Sequence, residues 1–172
     1  AETKKTPAKS SNGSASKDNY RAILSKKDLD GLIKELKKAK VLAFDTETDS
    51  LDFTQANLVG LSVATDEDNA YYIPVGHDYE GAPKQLDRDE VLKKLKPIIE
   101  KTPLIGQHLK FDRNVLANYD IHLNAIENDT MLMSYVYDPT ATRHNLDAMA
   151  SHYLNVKTCL LYTSPSPRDN RT

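Results

Sequence analysis

Several classes of protein are excluded by what this chain has little of. Cys159 is its one cysteine, so no internal disulfide can form and a cysteine-built zinc centre is ruled out. No apolar run approaches the roughly 18 residues that a membrane-spanning helix requires. The start of the chain also lacks the apolar core of a signal peptide, and the cytoplasm is the expected location. An excess of one charge is missing too: the net charge is −2, without the basic surplus common in nucleic-acid binders. A polyanionic substrate stays possible, because bound cations reverse the local charge. What is present suits one soluble globular domain with a real core: 172 residues, 28% charged and 39% hydrophobic.

The two ends differ from the middle. Residues 1–18, AETKKTPAKSSNGSASKD, carry no large apolar side chain and cannot offset their ordering entropy, so they read as a flexible linker. The missing initiator methionine predicts that a preceding domain was cut away. Residues 159–172, CLLYTSPSPRDNRT, hold two Ser-Pro dipeptides and no helical period. They read as a disordered, non-native tail similar to a translated cloning adapter, with the native frame ending near Thr158. The folded domain is expected over 19–158.

Within that span, residues 20–24 read as a short edge strand. Ser25, with Asp28 three positions on, opens a helix whose Leu29, Leu32, Ile33 and Leu36 share one face. The run VLAF at 41–44 suits a short strand buried on both faces. LVGLSVAT at 58–65 and AYYIPV at 70–75 are strand-like, and the turn residues at 66–69 make an antiparallel meander of the three. A helix is expected over 87–101 with a kink at Pro97. A short buried strand follows at 104–107 and a helix at 110–119. A further strand is placed at 121–123, and helices at 129–137 and 145–154, the last with Leu146, Met149 and Tyr153 facing in. The order predicts an α/β domain with a mixed sheet and flanking helices.

The stretch VLAFDTETDSLD at 41–52 holds the chemistry. Side chains two apart on a strand point the same way, so Asp45 and Glu47 project together from the end of the buried strand. Two carboxylates that close repel unless a cation joins them, and a hard divalent ion does so well. They read as half of a metal site. In QHLKFD at 107–112, Asp112 falls in the first turn of a helix. There an acid is often only stabilised by the helix dipole, but beside Asp45 and Glu47 it becomes a candidate third carboxylate.

FDTETDSLD, NLVGLSVA, YYIPVGHDY, QHLKFDRNVLANY, DTMLMSYV and RHNLDAMASHYL occur in that order. Together they resemble the 3′→5′ proofreading exonuclease domain of bacterial DNA polymerase I, from about residue 18 to 158. The resemblance implies an RNase H-like fold and two-metal hydrolysis, with Mg²⁺ or Mn²⁺, of the terminal phosphodiester at a single-stranded or frayed DNA 3′ end. It implies Asp45 as the ligand bridging both ions, Glu47 as a ligand of the tighter ion and Asp112 as the acid holding the second. It also implies Leu51 as a wedge against the terminal base and Thr48 as a backbone contact to the 3′ end. Gln107, His108 and Phe111 would line the path of the strand, and Arg143 would meet phosphate. A polymerase domain in cis and a monomeric state are expected.

The chain departs from the family pattern in places. His108 stands where the family usually has Asn, and Phe111 where it often has Tyr. A fourth acid, in a Tyr-x-x-x-Asp or His-x-x-x-x-Asp pattern, is absent: no tyrosine of nine has Asp four positions on, and no histidine of five has it five positions on. The chain is therefore expected to be a C-terminally truncated copy that binds metal weakly, hydrolyses DNA poorly and leaves an apolar sheet face uncovered. Alternatives are a non-catalytic domain of the same fold, an RNA-directed relative, and a phosphatase with Asp45 as nucleophile. The three retained acids weigh against the first. Glu47 in the second place weighs against the last.

Overall fold

Alternating side chains along the central strand organise the sheet. The computed structural model describes residues 19–157. The expected linker at 1–18 and the expected tail at 159–172 lie outside the described residues, as does Thr158. Strand β1 (Tyr20–Ala22), helix α1 (Lys26–Leu36) and strands β2 (Leu42–Thr48), β3 (Leu58–Ala64) and β4 (Ala70–Pro74) come first. Helix α2 (Arg88–Ile99), β5 (Leu104–Gly106), α3 (Leu109–Ala117), β6 (Ile126–Asp129), α4 (Thr130–Tyr137) and α5 (Leu146–Met149) follow, and α5 widens into a π-helical turn over Ala150–Leu154.

The strands form one mixed sheet in the order β1-β4-β3-β2-β5-β6. β2, β3 and β4 make the expected antiparallel meander. β1 joins β4 in parallel, and β5 and β6 extend the other side in parallel. The result is the expected α/β mixed sheet with flanking helices. Apolar faces of α1 (Leu29, Leu32, Leu36), α2 (Leu95, Ile99) and α3 (Leu109, Leu116) join Phe44, Leu61, Val63 and Ile73 in one core. Burial of such side chains contributes about 1.5–3 kcal/mol each, which is what orders the layers. α1 starts as its sequence predicts, with the Ser25 side chain accepting from the Asp28 N–H. α2 runs on through Pro97.

Four expectations need correction. β2 is not buried on both faces: Val41 lies outside the strand and exposed, and from Leu42 to Thr48 burial alternates strictly. The period of two therefore sorts Phe44, Thr46 and Thr48 into the core and Asp45 and Glu47 onto the opposite face. The strand also extends past both acids, so they project from within it. Residues 121–123 form no strand. Ile121 and Leu123 are buried as parts of a connection, and the strand comes later, at β6. In the last helical stretch Met149 faces in, but Leu146 and Tyr153 are exposed. The open apolar surface lies largely on helices rather than on the sheet, with Val136 87% and Tyr137 82% exposed on α4.

Candidate active site

Asp45 and Glu47 sit side by side on the half-open face of β2. Across the meander, Asp45 faces Ser62 and Ser62 faces Tyr72, while Glu47 faces Gly60. The ladder shifts by a bulge between Glu47 and Thr48, a feature that re-aims side chains next to functional sites. Gly60 is required by close approach: a Cβ there would stand 2.1 Å from the Tyr72 hydroxyl. The Tyr72 ring thus lies across Gly60 towards Glu47, and its hydroxyl meets His77 Nε2 at 2.6 Å. Burial, and then the charges of Glu47, Tyr79 and Asp45, hold the Tyr72 phenol well above its ordinary pKa. Burial lowers the pKa of His77, opposed by Asp78.

Asp112 reaches β2 from the side. β5 pairs with β2 only at Leu42–Leu104 and Ala43–Ile105, and beyond that the two strands part. The first turn of α3 fills the gap. Asp112 Oδ1 accepts the backbone N–H of Thr46 at 2.8 Å and the Thr46 hydroxyl at 2.6 Å, and the residue is 1% exposed. Asp112 is therefore tied to the residue between the two other acids. Among the described residues, no three His, Cys, Asp or Glu side chains already cluster as a metal centre. The donor chemistry still fits hard divalent cations, since all three candidates are carboxylates. Two carboxylates side by side on one face make it electronegative.

The start of α3 is set by a residue that sequence reasoning overlooked. Asp129 is 9% exposed and accepts from the N–H groups of His108 and Leu109. The same carboxylate caps α4 through the N–H groups of Met131 and Leu132. One side chain thus satisfies donors at two helix starts. Its signal was visible as an acid directly before a helical run. His108 turns the chain into α3 in the left-handed region, at φ 60° and ψ 41°. Asn tolerates that conformation well, which accounts for the Asn expected there by resemblance.

The remaining candidates differ in what they can offer a ligand. Gln107 spends both ends of its amide inside the protein: Oε1 accepts from the Thr130 hydroxyl and Nε2 donates to the His144 carbonyl. His144 is itself buried. Its Nε2 donates to the Pro139 carbonyl, and its Nδ1 lies 2.9 Å from the Ser134 hydroxyl. These bonds fix the loop that carries the exposed Arg143. Thr48 is buried and its hydroxyl donates to the Ser50 carbonyl. Leu51 is half-buried, in a loop closed by the Asp49 carboxylate on the Asn57 N–H and amide. Phe111 packs partly buried against the core, and the side chain of His108 is exposed.

Comparison with solved structures gives the fold. The polymerase domain of Pol1 from M. smegmatis, solved with DNA primer-template and dNTP, matches 81% of this chain and 23% of its own, with 18% identity and a TM-score of 0.64. Brucella melitensis NrnC with bound Mg²⁺ matches 82% of this chain and 63% of its own, with 20% identity and a TM-score of 0.56. The chain shares the RNase H-like α/β fold of these neighbours.

Sequence comparison then gives the family. The 3′-5′ exonuclease profile matches residues 20–164. DNA polymerase I of Pseudomonas aeruginosa is 49% identical over 144 residues, covering 81% of this chain and 16% of that protein. The chain belongs to the 3′-5′ exonuclease family, in the form found in DNA polymerase I. It spans about a sixth of the length of that relative.

Proposed function

We propose that the chain is a proofreading module that removes nucleotides from a DNA 3′ end, with Asp45, Glu47 and Asp112 as ligands of two divalent cations. The observation that carries this reading is the Asp45–Glu47 pair on the half-open face of β2, with Asp112 locked to the Thr46 between them. When bound, divalent ions would lower the pKa of an attacking water and offset charge on the leaving oxygen.

The chain's own residues would do the rest. Asp45 and Glu47 present oxygen donors on the half-open face and, without cations, repel a phosphodiester. Thr46 fixes the Asp112 carboxylate, so that part of its order is set before any ligand arrives. Leu51, held by the Asp49–Asn57 closure just beyond β2, would wedge against the terminal base, and Thr48 would meet the 3′ end through its backbone. His108 and Arg143 are exposed, and can contact the strand. Phe111 would contribute an apolar wall. Gln107 would act by placement, since its amide is spent on Thr130 and His144.

The fourth acid of the family pattern is absent from the sequence, so turnover by this chain should be slow. A polymerase domain in cis, a monomeric state and a cytoplasmic location complete the reading. Among the described residues, no helix is long and apolar enough to cross a membrane.

The test is digestion of a 5′-labelled single DNA strand with Mn²⁺, alongside Mn²⁺ titration followed by electron paramagnetic resonance. The expected result is slow shortening from the 3′ end, stopped by chelator, with Mn²⁺ binding that Asp45→Ala removes. Mn²⁺ binding unchanged in Asp45→Ala would overturn the ligand assignment. An RNA strand cut faster than DNA would overturn the substrate.

A further inference from the structure

One group on the acidic face is built with more care than packing requires. Tyr72 stands in the row Asp45–Ser62–Tyr72 across three strands. Its side chain does not rise straight from the sheet. It slants over Gly60, where a Cβ would meet Oη at 2.1 Å and Cζ at 2.4 Å. Gly60 is the cross-strand partner of Glu47, so the missing side chain leaves room for a phenol beside that carboxylate. Glycine inside a strand otherwise weakens it, and here it marks the space the ring needs.

The far side of the phenol is equally constrained. His77 Nε2 lies 2.6 Å from Oη. The His77 backbone is clamped by the Gln85 amide, which accepts from its N–H at 2.8 Å and donates to its carbonyl at 2.6 Å. The ring of Tyr79 packs edge-on against the imidazole at 5.7 Å. The side chains of His77, Gln85 and Tyr79 thus converge to hold one hydroxyl on the sheet face that carries Asp45 and Glu47.

We propose that Tyr72 is a positioning residue for Glu47, with the His77 Nε2–H donating to the Tyr72 oxygen and the Tyr72 O–H turned to the carboxylate. The physical reason for this direction is the local field. Two carboxylates on the same face favour an O–H dipole whose positive end points at them, and this leaves the phenol oxygen to accept from His77. The inference deepens the reading of Glu47 as an ion ligand and rests on it. Partners standing behind a metal ligand commonly control affinity by about 10–100-fold.

The experiment uses the full 172-residue chain. Mn²⁺ affinity is measured by electron paramagnetic resonance for the wild type, Tyr72→Phe and His77→Gln, and thermal midpoints are recorded beside it. Tyr72→Phe keeps the ring over Gly60 and removes only the hydroxyl. The expected result is a Kd raised about tenfold in Tyr72→Phe and by a smaller factor in His77→Gln. Nitrogen-15 spectra of the wild type supply a second measurement independent of any variant's folding, and should show His77 protonated on Nε2. Unchanged affinity in a folded Tyr72→Phe, or an unprotonated Nε2 in the wild type, overturns the positioning role and leaves the ligand assignment standing. A wild-type chain that binds no Mn²⁺ removes both.

Discussion

Asp112 and Thr46 form a single structural unit: one carboxylate oxygen, Oδ1, accepts both the backbone N–H and the hydroxyl of Thr46. The pair closes the gap left where β5 departs from β2, and it couples the third acid to the strand that carries the other two. A buried carboxylate depends on its donors, because the charge has left water behind. Thr46→Val keeps the shape and removes one donor. It should cost about 1–3 kcal/mol, read by urea denaturation. It should also weaken Mn²⁺ binding if Asp112 is a ligand. A variant as stable as the wild type would show that the hydroxyl bond contributes nothing net.

Asp129 should matter more to stability than its position suggests. It serves N–H groups at the starts of both α3 and α4. Loss of one such cap costs about 0.5–2 kcal/mol, so Asp129→Ala should cost roughly twice that. Asp129→Ser should recover only the α4 share, since a single short hydroxyl cannot span both helix starts. Equal losses for the Ala and Ser variants would contradict the double role.

His108 holds a left-handed conformation at φ 60°. A non-glycine residue there costs about 1–2 kcal/mol. Glycine relieves the strain but increases the entropy of the unfolded chain. His108→Gly should therefore raise stability by about 0.5–1 kcal/mol, and His108→Asn by less. Thermal melts decide it, and a lowered midpoint in both variants would mean that the imidazole makes contacts worth more than the strain.

Tyr72 and His77 predict losses of stability at opposite ends of the pH scale. The folded Tyr72 phenol titrates above its ordinary value. The unfolded chain therefore releases this proton first as pH rises past about 10, and stability falls beyond that point. His77 is depressed in the folded state. Its contribution is present above its unfolded value of about 6.5 and is lost as pH falls below it. Tyr72→Phe should flatten the alkaline limb of a stability-versus-pH curve and leave the acid limb in place. An alkaline limb identical to wild type would contradict the assignment.

The layered architecture was legible in the sequence because its signals are local. Ser25 with Asp28, and the leucines of α1, announce a helix and its start. The turn at 66–69 announces the meander, and there Asp66 Oδ1 accepts from the Asp68 and Asn69 N–H groups. That Asp45 and Glu47 share a face follows from the period of a strand. The apolar run at 41–44 misled because Val41 is exposed before the strand begins, so β2 has one core face rather than two. Ile121 and Leu123 alternate like a strand, yet they are buried from a connection. What stayed hidden depends on pairs distant in the chain. The link from Asp112 to Thr46 and the fit of Tyr72 over Gly60 are set by strand order and register, which no local pattern states. Asp129 was half visible, as the cap of α4 but not of α3.

The strict alternation of β2 also guards the folding of the sheet. Sliding β2 by one residue would turn Asp45 and Glu47 into the layer of Phe44 and send Phe44 and Thr46 out to water. Two ionised groups in an apolar layer cost several kcal/mol each, far more than the rest of the strand could return. The acids are thus an error check on assembly: a chain that pairs its strands wrongly is expelled from that state by the same charges that the correctly paired sheet displays.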